Sequence, residues 1–437
     1  MQPERNGANR PADSVEIWEL TGIYPDLDPI VRTLDHRVVR SERGPLSHVE
    51  VDWTSDMPPR VAKASVRDGC RLAPIGTHPG EATTDLPAGK EIPANFPRLA
   101  DGGLLFPPPI PIQIQHEKYA GVLKIAHDDI YGVGTRTTAV VIRHKGVSHT
   151  SYRMMARENP ADITDYMMGF DRRTPQRTWS VAKSIAATLV GAAVQRGDLA
   201  FNPEHYGFPD APPVPVANPV DGVDYSLDLM LRMASGRYSD TPGNRTDALY
   251  FGGSTVRETA LHWPLINEPG TVFRYANNDT LAAVMTISDT FERHPPAEFF
   301  EQVGMKGTVA ETDWAGDYVL SSQVWATAED LAKFGQLYLD DGMVDGKRIL
   351  PEGWREYVST PAGPQPDGPF GYGAGFWLLN KSEGVPPDTF AAFGNRGQYV
   401  VIVPSRDIVI VRRGEDPAGS RFDIAGFTRD VLAALEE

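Results

Sequence analysis

The segment from residue 180 to residue 194 restricts the possible folds more than any other, because it is helical in pattern and almost entirely apolar. It reads SVAKSIAATLVGAAV, and Ile185, Leu189 and Ala193 recur at helical spacing. A helix that is apolar on nearly every side has to be buried within a domain. The sequence therefore predicts a central helix with Ser180 at its N-terminus.

Ser180 and Lys183 are three residues apart at the start of this helix, so their side chains are neighbours one turn along. In one interpretation Ser180 only caps the helix. In the other it is a nucleophile. The amides of a helix N-terminus favour negative charge, and a buried lysine has a lowered pKa, which lets it accept the serine proton. A Ser-x-x-Lys pair arises about once or twice by chance in a chain of this length, so both interpretations stay open here.

A second candidate group follows a Pro-Gly turn, in the stretch NEPGTVFRYANNDTLAAVM. Beside a cationic lysine the phenolate form of Tyr275 is favoured, and a phenolate can relay protons. The amide of Asn277 can donate to a substrate carbonyl and can hold Lys183 through a hydrogen bond. Taken alone, a Tyr-x-Asn sequence usually indicates no more than a surface turn.

A third group, Asn395, Arg396, Gly397 and Gln398, opens a predicted strand in FGNRGQYVVIV. A glycine at this place allows a backbone and a ligand to approach each other closely. The backbone amide of Gln398 is predicted to form an oxyanion hole together with the backbone amide of Ser180.

These three groups, in this order, resemble motifs of the serine β-lactamase and penicillin-binding-protein superfamily. SVAK is similar to its Ser-x-x-Lys motif, YAN to the Tyr-x-Asn of class C β-lactamases, and NRGQ takes the place of its Lys-Thr-Gly strand. The resemblance covers residues 119–437 and includes MASG, ATAEDLAKFGQLYLDDG and GYGAGFW. It implies an α/β (α+β) fold of the β-lactamase/transpeptidase type, in which an antiparallel sheet is flanked by helices and an all-α subdomain is inserted.

The resemblance further implies a serine hydrolase that forms an acyl-enzyme on Ser180, with Lys183 and Tyr275 as general base and acid. The motif lysine that binds a substrate carboxylate in that superfamily is replaced by Asn395, and Arg396 is the remaining candidate for a positive charge. The pattern is closer to family VIII carboxylesterases and 6-aminohexanoate-dimer hydrolases, which keep the Ser, Lys and Tyr and vary the third motif.

In the nylon-oligomer hydrolases a further tyrosine, on the loop after the nucleophile helix, assists amide cleavage. Tyr238 in MASGRYSD lies in the matching region of this sequence. The expected partner is therefore a small-molecule ester or amide substrate. Two alternatives remain, a β-lactamase or D-Ala-D-Ala carboxypeptidase-like enzyme, and a penicillin-binding-like sensor that is acylated without turnover.

The chain divides into two predicted parts. Residues 1–118 include a stretch rich in Pro, Gly and Thr and form a loop-rich N-terminal extension. Residues 119–437 form the hydrolase domain, with a helical insertion at about 200–317. Within this domain the pattern predicts a strand at Thr137–Gly146, its partner in VSHTSYRM, and a helix from Thr327 with a capping box to Asp330. Further strands and a terminal helix complete it.

Composition argues against several classes of partner. The formal net charge of -16 disfavours nucleic acid and anionic membranes, which bind to basic surfaces. Cys70 is the only cysteine, which excludes an intrachain disulfide, and no cofactor or metal is expected because the histidines lack His-x-x-x-His and Cys–His spacing. The polar N-terminal stretch predicts a cytoplasmic protein, and the sequence leaves open whether the chain forms a homodimer.

Overall fold

The computed structural model describes residues 19–40, 46–65, 69–80, 119–152, 170, 174–200, 226–239 and 246–436. Its strands are β1 (His36–Arg40), β2 (Leu46–Val51), β3 (Arg60–Ser65), β4 (Gly69–Leu72), β5 (Thr137–His144), β6 (Val147–Tyr152), β7 (Gln176–Arg177), β8 (Val309–Ala310), β9 (Val324–Ala326), β10 (Met343–Val344), β11 (Lys347–Arg348), β12 (Gly371–Tyr372), β13 (Trp377–Leu378), β14 (Phe390–Gly394), β15 (Gln398–Val403) and β16 (Ile408–Gly414). Its helices are α1 (Asp28–Val31), α2 (Ala120–Ile125), α3 (Val181–Arg196), α4 (Leu227–Leu231), α5 (Asp247–Tyr250), α6 (Val256–Leu261), α7 (Asn277–Met285), α8 (Pro296–Val303), α9 (Ala328–Leu339), α10 (Trp354–Ser359) and α11 (Ile424–Glu436).

The main sheet has seven strands in the order β12-β13-β14-β15-β16-β5-β6, and every neighbouring pair is antiparallel. β5 and β6 precede most of the helices in the chain, and β12 to β16 follow them. Since β5 pairs with β16, segments from both sides of the helical region complete one sheet. The predicted antiparallel sheet with helices inserted between its halves is confirmed.

The central strands of this sheet are buried on both faces. Alternate residues of β5, β15 and β16 belong to two different hydrophobic clusters, as the two-residue period of a strand requires. On one face Val141 and Val409 pack in a cluster with residues of α3 and α9. On the other face Val140 and Ile410 pack in a cluster with residues of α2 and α11. Helices therefore cover both sides of the sheet.

Helix α3 is the predicted central helix, and it begins one residue after Ser180. All of its residues from Val181 to Ala193 are buried. Gly197, in a left-handed conformation with φ of 81°, ends it. Gly191, in the middle of α3, lies so close to the ring of Trp354 that a Cβ atom there would overlap the ring.

The helix predicted from Thr327 is α9, and one half of its predicted capping box is present. Thr327 Oγ1 accepts a hydrogen bond from the Asp330 backbone amide at 3.0 Å. The carboxylate of Asp330 is turned elsewhere, because it accepts from the Gly307 amide at 2.7 Å and from Thr308 Oγ1 at 3.1 Å. Asp330 thereby joins α9 to the loop that follows α8.

The N-terminal extension contains a sheet that the sequence pattern does not reveal. β1 to β4 form an antiparallel sheet in chain order. This part of the chain contacts the helical region, since Tyr24 donates to Asp247 Oδ1 at 3.0 Å and Arg60 donates to the Phe251 carbonyl at 2.6 Å. The extended segment predicted in FPPPIPIQIQ lies outside the described residues.

Within the helical insertion predicted at about 200–317, the described residues form α4 to α8, and the short strand β8 (Val309–Ala310) follows them. The described part of this region contains no regular strand before β8. Residues 201–225 and 240–245 lie outside the described residues. None of the helices in the described part of the chain is long and apolar enough to cross a membrane.

Two helical glycines should respond in opposite directions to alanine. In Gly191→Ala the new Cβ would lie 2.5 Å from the Trp354 ring, and overpacking should lower the free energy of unfolding by ~1–3 kcal/mol. In the control Gly121→Ala, no described atom lies within 4 Å of the new Cβ, and helix propensity should add up to ~1 kcal/mol. Denaturant unfolding measures both changes. A Gly191→Ala protein as stable as the control would contradict this packing.

Candidate active site

Ser180 lies in the N-cap position of α3. Its side chain makes no capping hydrogen bond to the described residues of the helix. Ser180 Oγ instead accepts a hydrogen bond from Lys183 Nζ at 3.1 Å. The Ser180 side chain therefore does not act as a helix cap, and the first of the two interpretations is wrong.

Lys183 is enclosed by the protein, with 1% of its surface exposed. Besides Ser180, its Nζ contacts two neutral oxygen atoms: it donates to the Ser321 carbonyl at 3.0 Å and to Asn277 Oδ1. Burial lowers the pKa of Lys183 from its usual 10.5 to about 7, because the charged form loses its hydration. Near neutral pH much of Lys183 is therefore the free amine.

Tyr275 approaches Ser180 from the loop before α7. The centroid of its ring lies 5.1 Å from Lys183 Nζ, and the Ser180 side chain lies close enough to the phenol to lower its pKa. The rings of Tyr372 and Trp377 pack around it at centroid distances of 5.9 and 5.2 Å. Burial raises the pKa of Tyr275 to about 12, although the Ser180 and Trp377 side chains oppose that shift.

These pKa values correct the charge that the sequence analysis assigned to Tyr275. A phenolate beside a cationic lysine was expected there. In the structure burial is the largest influence on both groups and favours the neutral form of each, a phenol and an amine. Lys183 is therefore the group that can accept a proton from Ser180 near neutral pH, and Tyr275 holds a proton that it can donate.

Asn277, the first residue of α7, orients the Lys183 amine. Its Oδ1 accepts from Lys183, and its Nδ2 donates to Thr246 Oγ1 at 3.2 Å and to the Tyr250 hydroxyl at 3.5 Å. The Tyr250 hydroxyl also lies 2.6 Å from Ser322 Oγ. Both ends of the amide are thus engaged within the protein, so Asn277 does not offer the expected donor to a substrate carbonyl.

A buried arginine fixes β7, the short strand that leads into Ser180. Arg413 Nη2 donates to the Arg177 carbonyl at 3.2 Å, and Nη1 donates to the Ala326 carbonyl at 2.6 Å. Arg413 Nε donates to Gln398 Oε1 at 2.5 Å. The Arg413 side chain, which belongs to β16, thus joins β7, β9 and β15 to that strand.

The third sequence motif forms a tight turn and not the beginning of a strand. Asn395–Gly397 is a short 3-10 helix, and β15 begins only at Gln398. Arg396 has a left-handed φ of 55° and is buried. Its guanidinium donates to the carbonyls of Glu19, Glu415 and Asp416. Arg396 therefore points into the protein and does not supply the positive charge that the sequence analysis considered.

Gly397 and Gln398 also differ from their expected roles. A Cβ at Gly397 would overlap Arg412 and Asp416, whose ion pair measures 2.8 Å. The missing side chain therefore makes room for an internal ion pair and not for a ligand. Gln398 is fully buried, so it presents no accessible amide to a substrate. Asn395, at the start of the same turn, is exposed.

Tyr238 lies at the surface of the helical region, with 36% of its area exposed. Its ring packs against Trp263 at a centroid distance of 5.8 Å, and the Arg274 guanidinium lies 5.2 Å from its centroid. Its carbonyl accepts a hydrogen bond from Asn278 Nδ2 at 3.1 Å, which joins it to α7. Its part in amide cleavage stays a prediction.

Comparison with known proteins gives the family. The family model described as Beta-lactamase matches residues 129–432, more than half of the chain. The chain belongs to the β-lactamase family. All three motifs of the sequence analysis lie within the matched residues, so the resemblance drawn from them is confirmed.

Individual relatives agree with this result. The chain is 25% identical over 283 residues to a 6-aminohexanoate-dimer hydrolase of Paenarthrobacter ureafaciens. The aligned region covers 58% of this chain and 69% of the relative. It is similar in structure to a Bacillus anthracis protein described as a 6-aminohexanoate-dimer hydrolase, with a TM-score of 0.50, 21% identity, and 72% and 81% of the two chains covered. A Bacteroides dorei protein described as a β-lactamase gives a TM-score of 0.50 at 16% identity, with 72% and 97% covered. These two structures show the fold of this β-lactamase family member.

Several groups at the site carry no signal in the sequence. Ser321 holds Lys183 through its backbone carbonyl, which no side-chain pattern marks. Trp377 packs on Tyr275 and lies in GYGAGFW, a segment that the resemblance covered without giving it a role. Tyr250 and Arg413 act on the site from distant parts of the chain. The motif order could reveal the segments, but only the fold brings these residues together.

The pKa of Lys183 can be measured through the pH dependence of Ser180 labelling by a fluorophosphonate. Labelling needs the neutral amine, so its rate should rise with pH through a pKa of about 7. Asn277→Asp should raise that pKa by about one pH unit or more, because a carboxylate favours the ammonium form. Asn277→Leu removes a hydrogen-bond acceptor and should lower it. Movement of both variants in the same direction would contradict the contact between Asn277 and Lys183.

Proposed function

We propose that this β-lactamase family member is a serine hydrolase that cleaves a carboxylic ester or a linear amide through an acyl-enzyme on Ser180. The observation that carries the proposal is the contact of one hydroxyl with an amine of pKa about 7 and with a neutral phenol. A serine needs such a base to become a nucleophile and such an acid to release a leaving group. The 6-aminohexanoate-dimer hydrolase relative supports an amide substrate.

In the acylation step Ser180 Oγ attacks the carbonyl carbon, while neutral Lys183 takes the hydroxyl proton. Tyr275 then donates its phenol proton to the leaving oxygen or nitrogen and receives one from the Lys183 ammonium. The bond between the carbonyl carbon and the leaving group breaks, and the acyl group remains as an ester on Ser180. The site returns to a neutral amine and a neutral phenol.

In the deacylation step water attacks the ester carbon, and neutral Lys183 accepts the water proton. The bond between the acyl carbon and Ser180 Oγ breaks, and the serine oxygen takes a proton from the Lys183 ammonium, which lies within hydrogen-bonding distance of it. The product is a free carboxylic acid. Lys183 acts as base in both half-reactions because burial keeps its pKa near neutrality.

The tetrahedral intermediates need backbone donors for the oxyanion. We assign the first to the amide of Ser180, where the helix dipole also favours negative charge. We assign the second to Asn395 in place of Gln398. Asn395 is exposed, and a Cβ on the preceding Gly394 would overlap the Thr178 carbonyl oxygen. That close approach supports placing this end of the turn beside the serine segment.

The β-lactamase and D-Ala-D-Ala carboxypeptidase alternatives have less support from the third motif. The enzymes that carry Lys-Thr-Gly there use its lysine for a substrate carboxylate. Asn395 is neutral, and the Arg396 guanidinium is engaged by internal carbonyls. A sensor without turnover would share the contacts of Ser180 and would differ only in the lifetime of its acyl group.

Replacement of the nucleophile tests the proposal directly. Ser180→Ala should abolish the burst of p-nitrophenol from p-nitrophenyl butyrate and reduce turnover about a thousandfold or more. Ser184→Ala is the matched control, since this serine lies on the same helix and donates to the Gly375 carbonyl. Full turnover by Ser180→Ala would show that another group is the nucleophile. Mass spectrometry of the wild type separates an enzyme, which carries a transient acyl group, from a sensor, which keeps it.

The role predicted for Tyr238 can be tested with matched substrates. An amine is a poorer leaving group than a phenolate and needs better protonation, so Tyr238→Phe should reduce kcat/KM for a linear amide about tenfold or more. The ester with the same acyl group should be hydrolysed nearly as well as by the wild type. Equal effects on amide and ester would show that Tyr238 serves only to pack its loop.

A further inference from the structure

Asp279 is a buried carboxyl near the active site that the proposed mechanism does not use. It lies in the first turn of α7, two residues after Asn277, the residue that holds Lys183, and 3% of its surface is exposed. An acidic residue at the start of a helix usually lies at the surface, where it favours the helix dipole. Burial makes a carboxylate costly, so the presence of an acid in this place needs a reason.

The carboxyl group joins α7 to a separate segment of the chain, the MASG loop (residues 233–236). Its Oδ1 accepts a hydrogen bond from Ser235 Oγ at 2.6 Å, and its Oδ2 accepts from the Ser235 backbone amide at 3.3 Å. Ser235 Oγ in turn accepts from the Arg237 amide at 3.2 Å. Both oxygen atoms of Asp279 are therefore used as acceptors, and both hold the loop.

The MASG loop holds the chain on both sides of Tyr275. The Met233 carbonyl accepts from the Arg274 amide at 2.8 Å, and the Met233 sulfur accepts from the Ala276 amide at 3.4 Å. Met233 is buried and has a left-handed φ of 60°, a conformation that such a residue keeps only when its surroundings fix it. The position of the Tyr275 phenol thus depends on the loop, and the loop depends on Asp279.

The groups around Asp279 act in opposite directions on its charge. Burial raises the pKa of Asp279 from its usual 3.8 to about 7, while the hydrogen bonds from Ser235 and the charges of Arg237 and Arg274 oppose that shift. Tyr372, in β12, stays neutral because burial raises its pKa well above 10. Above neutral pH the carboxyl is therefore ionised. Below it one oxygen carries a proton and no longer accepts from Ser235, so the contact weakens.

We infer that Asp279 is a positioning residue for the proton donor: its carboxylate fixes the MASG loop, and the loop holds the Tyr275 phenol where a leaving group receives its proton. The inference rests on the proposed hydrolase function and assigns a further residue to the release of the leaving group. An alkoxide leaving group needs that proton and should depend on Asp279. A p-nitrophenolate leaves without it and should not.

The test compares ethyl butyrate with p-nitrophenyl butyrate, which share an acyl group and differ in the leaving group. Asp279→Asn should lower the ratio of kcat/KM for the ethyl ester to kcat/KM for the p-nitrophenyl ester about tenfold or more, because a misplaced proton donor loses much of its effect. Asparagine has nearly the same size but offers one acceptor oxygen in place of two. Equal losses on the two esters, or no loss on either, would overturn the inference.

Asp330→Asn is the matched control. Asp330 is also 3% exposed and also accepts from a backbone amide and a hydroxyl, those of Gly307 and Thr308, but it joins α9 to the loop after α8. The variant removes the same kind of contact elsewhere in the domain and should keep the wild-type ratio. An equal fall of the ratio in this control would show that any loosening of the fold has this effect, and the assignment to Asp279 would be wrong.

A double substitution tests whether Asp279 acts through the phenol. Tyr275→Phe removes the proton donor and should lower the same ratio. Adding Asp279→Asn to Tyr275→Phe should lower it no further, because both changes affect one group. If the second substitution instead lowers the ratio as much as it does in the wild type, Asp279 does not act through Tyr275 and the inference fails.

A second variant keeps the inference testable if Asp279→Asn does not fold in a thermal melt. Ser235→Ala removes the hydroxyl that donates to Asp279 at 2.6 Å and should cause the same selective loss with the ethyl ester. A folded Ser235→Ala protein with the wild-type ratio would contradict the proposed path from Asp279 to the loop.

The wild type offers a third measurement. The ratio for the two esters should fall as pH decreases through about 7, where Asp279 gains its proton. The ionisation of Lys183 affects both esters equally and cancels in the ratio. A ratio that does not change with pH would overturn the inference. Failure of the proposed function is a different result, since then the wild type hydrolyses neither ester and a fluorophosphonate does not label Ser180.

Discussion

The removal of Lys183 from water is the interaction on which the rest of the site depends. The amine is held by the Ser180 hydroxyl, the Asn277 amide oxygen and the Ser321 carbonyl, all of which are uncharged. Neutral acceptors orient the nitrogen without restoring the pKa that burial lowers, whereas a carboxylate would raise it. The apolar helix α3 makes this possible, because it carries the lysine into the centre of the domain.

The same burial determines the state of Tyr275. Its pKa of about 12 keeps a proton on the phenol at the pH where Lys183 loses its own. Two groups that have similar pKa values in water are thus separated into a base and an acid by their surroundings. The Ser180 hydroxyl lies in contact with both, which is the arrangement that transfer of an acyl group requires.

Buried charged side chains give this arrangement its rigidity. Arg413 donates a hydrogen bond to the Arg177 carbonyl in β7, the strand that precedes Ser180. The ion pair of Arg412 with Asp416 occupies the space that a side chain at position 397 would fill. Arg396 joins the turn to the N-terminal extension. Preorganised donors are effective because they need no rearrangement during the reaction. The extension thus contacts the turn of the third motif, although it lies outside the residues that match the family model.

The sequence by itself determined the elements that depend on local patterns: α3, the strands of the main sheet, and the neighbouring positions of Ser180 and Lys183, which follow from helical spacing. The order of the motifs also indicated the family. The tertiary structure alone decided the charge states of Lys183 and Tyr275, the inward direction of Arg396, and the sheet in the N-terminal extension. These features depend on burial and on contacts between distant segments. The spacing of residues along the chain reveals neither of them.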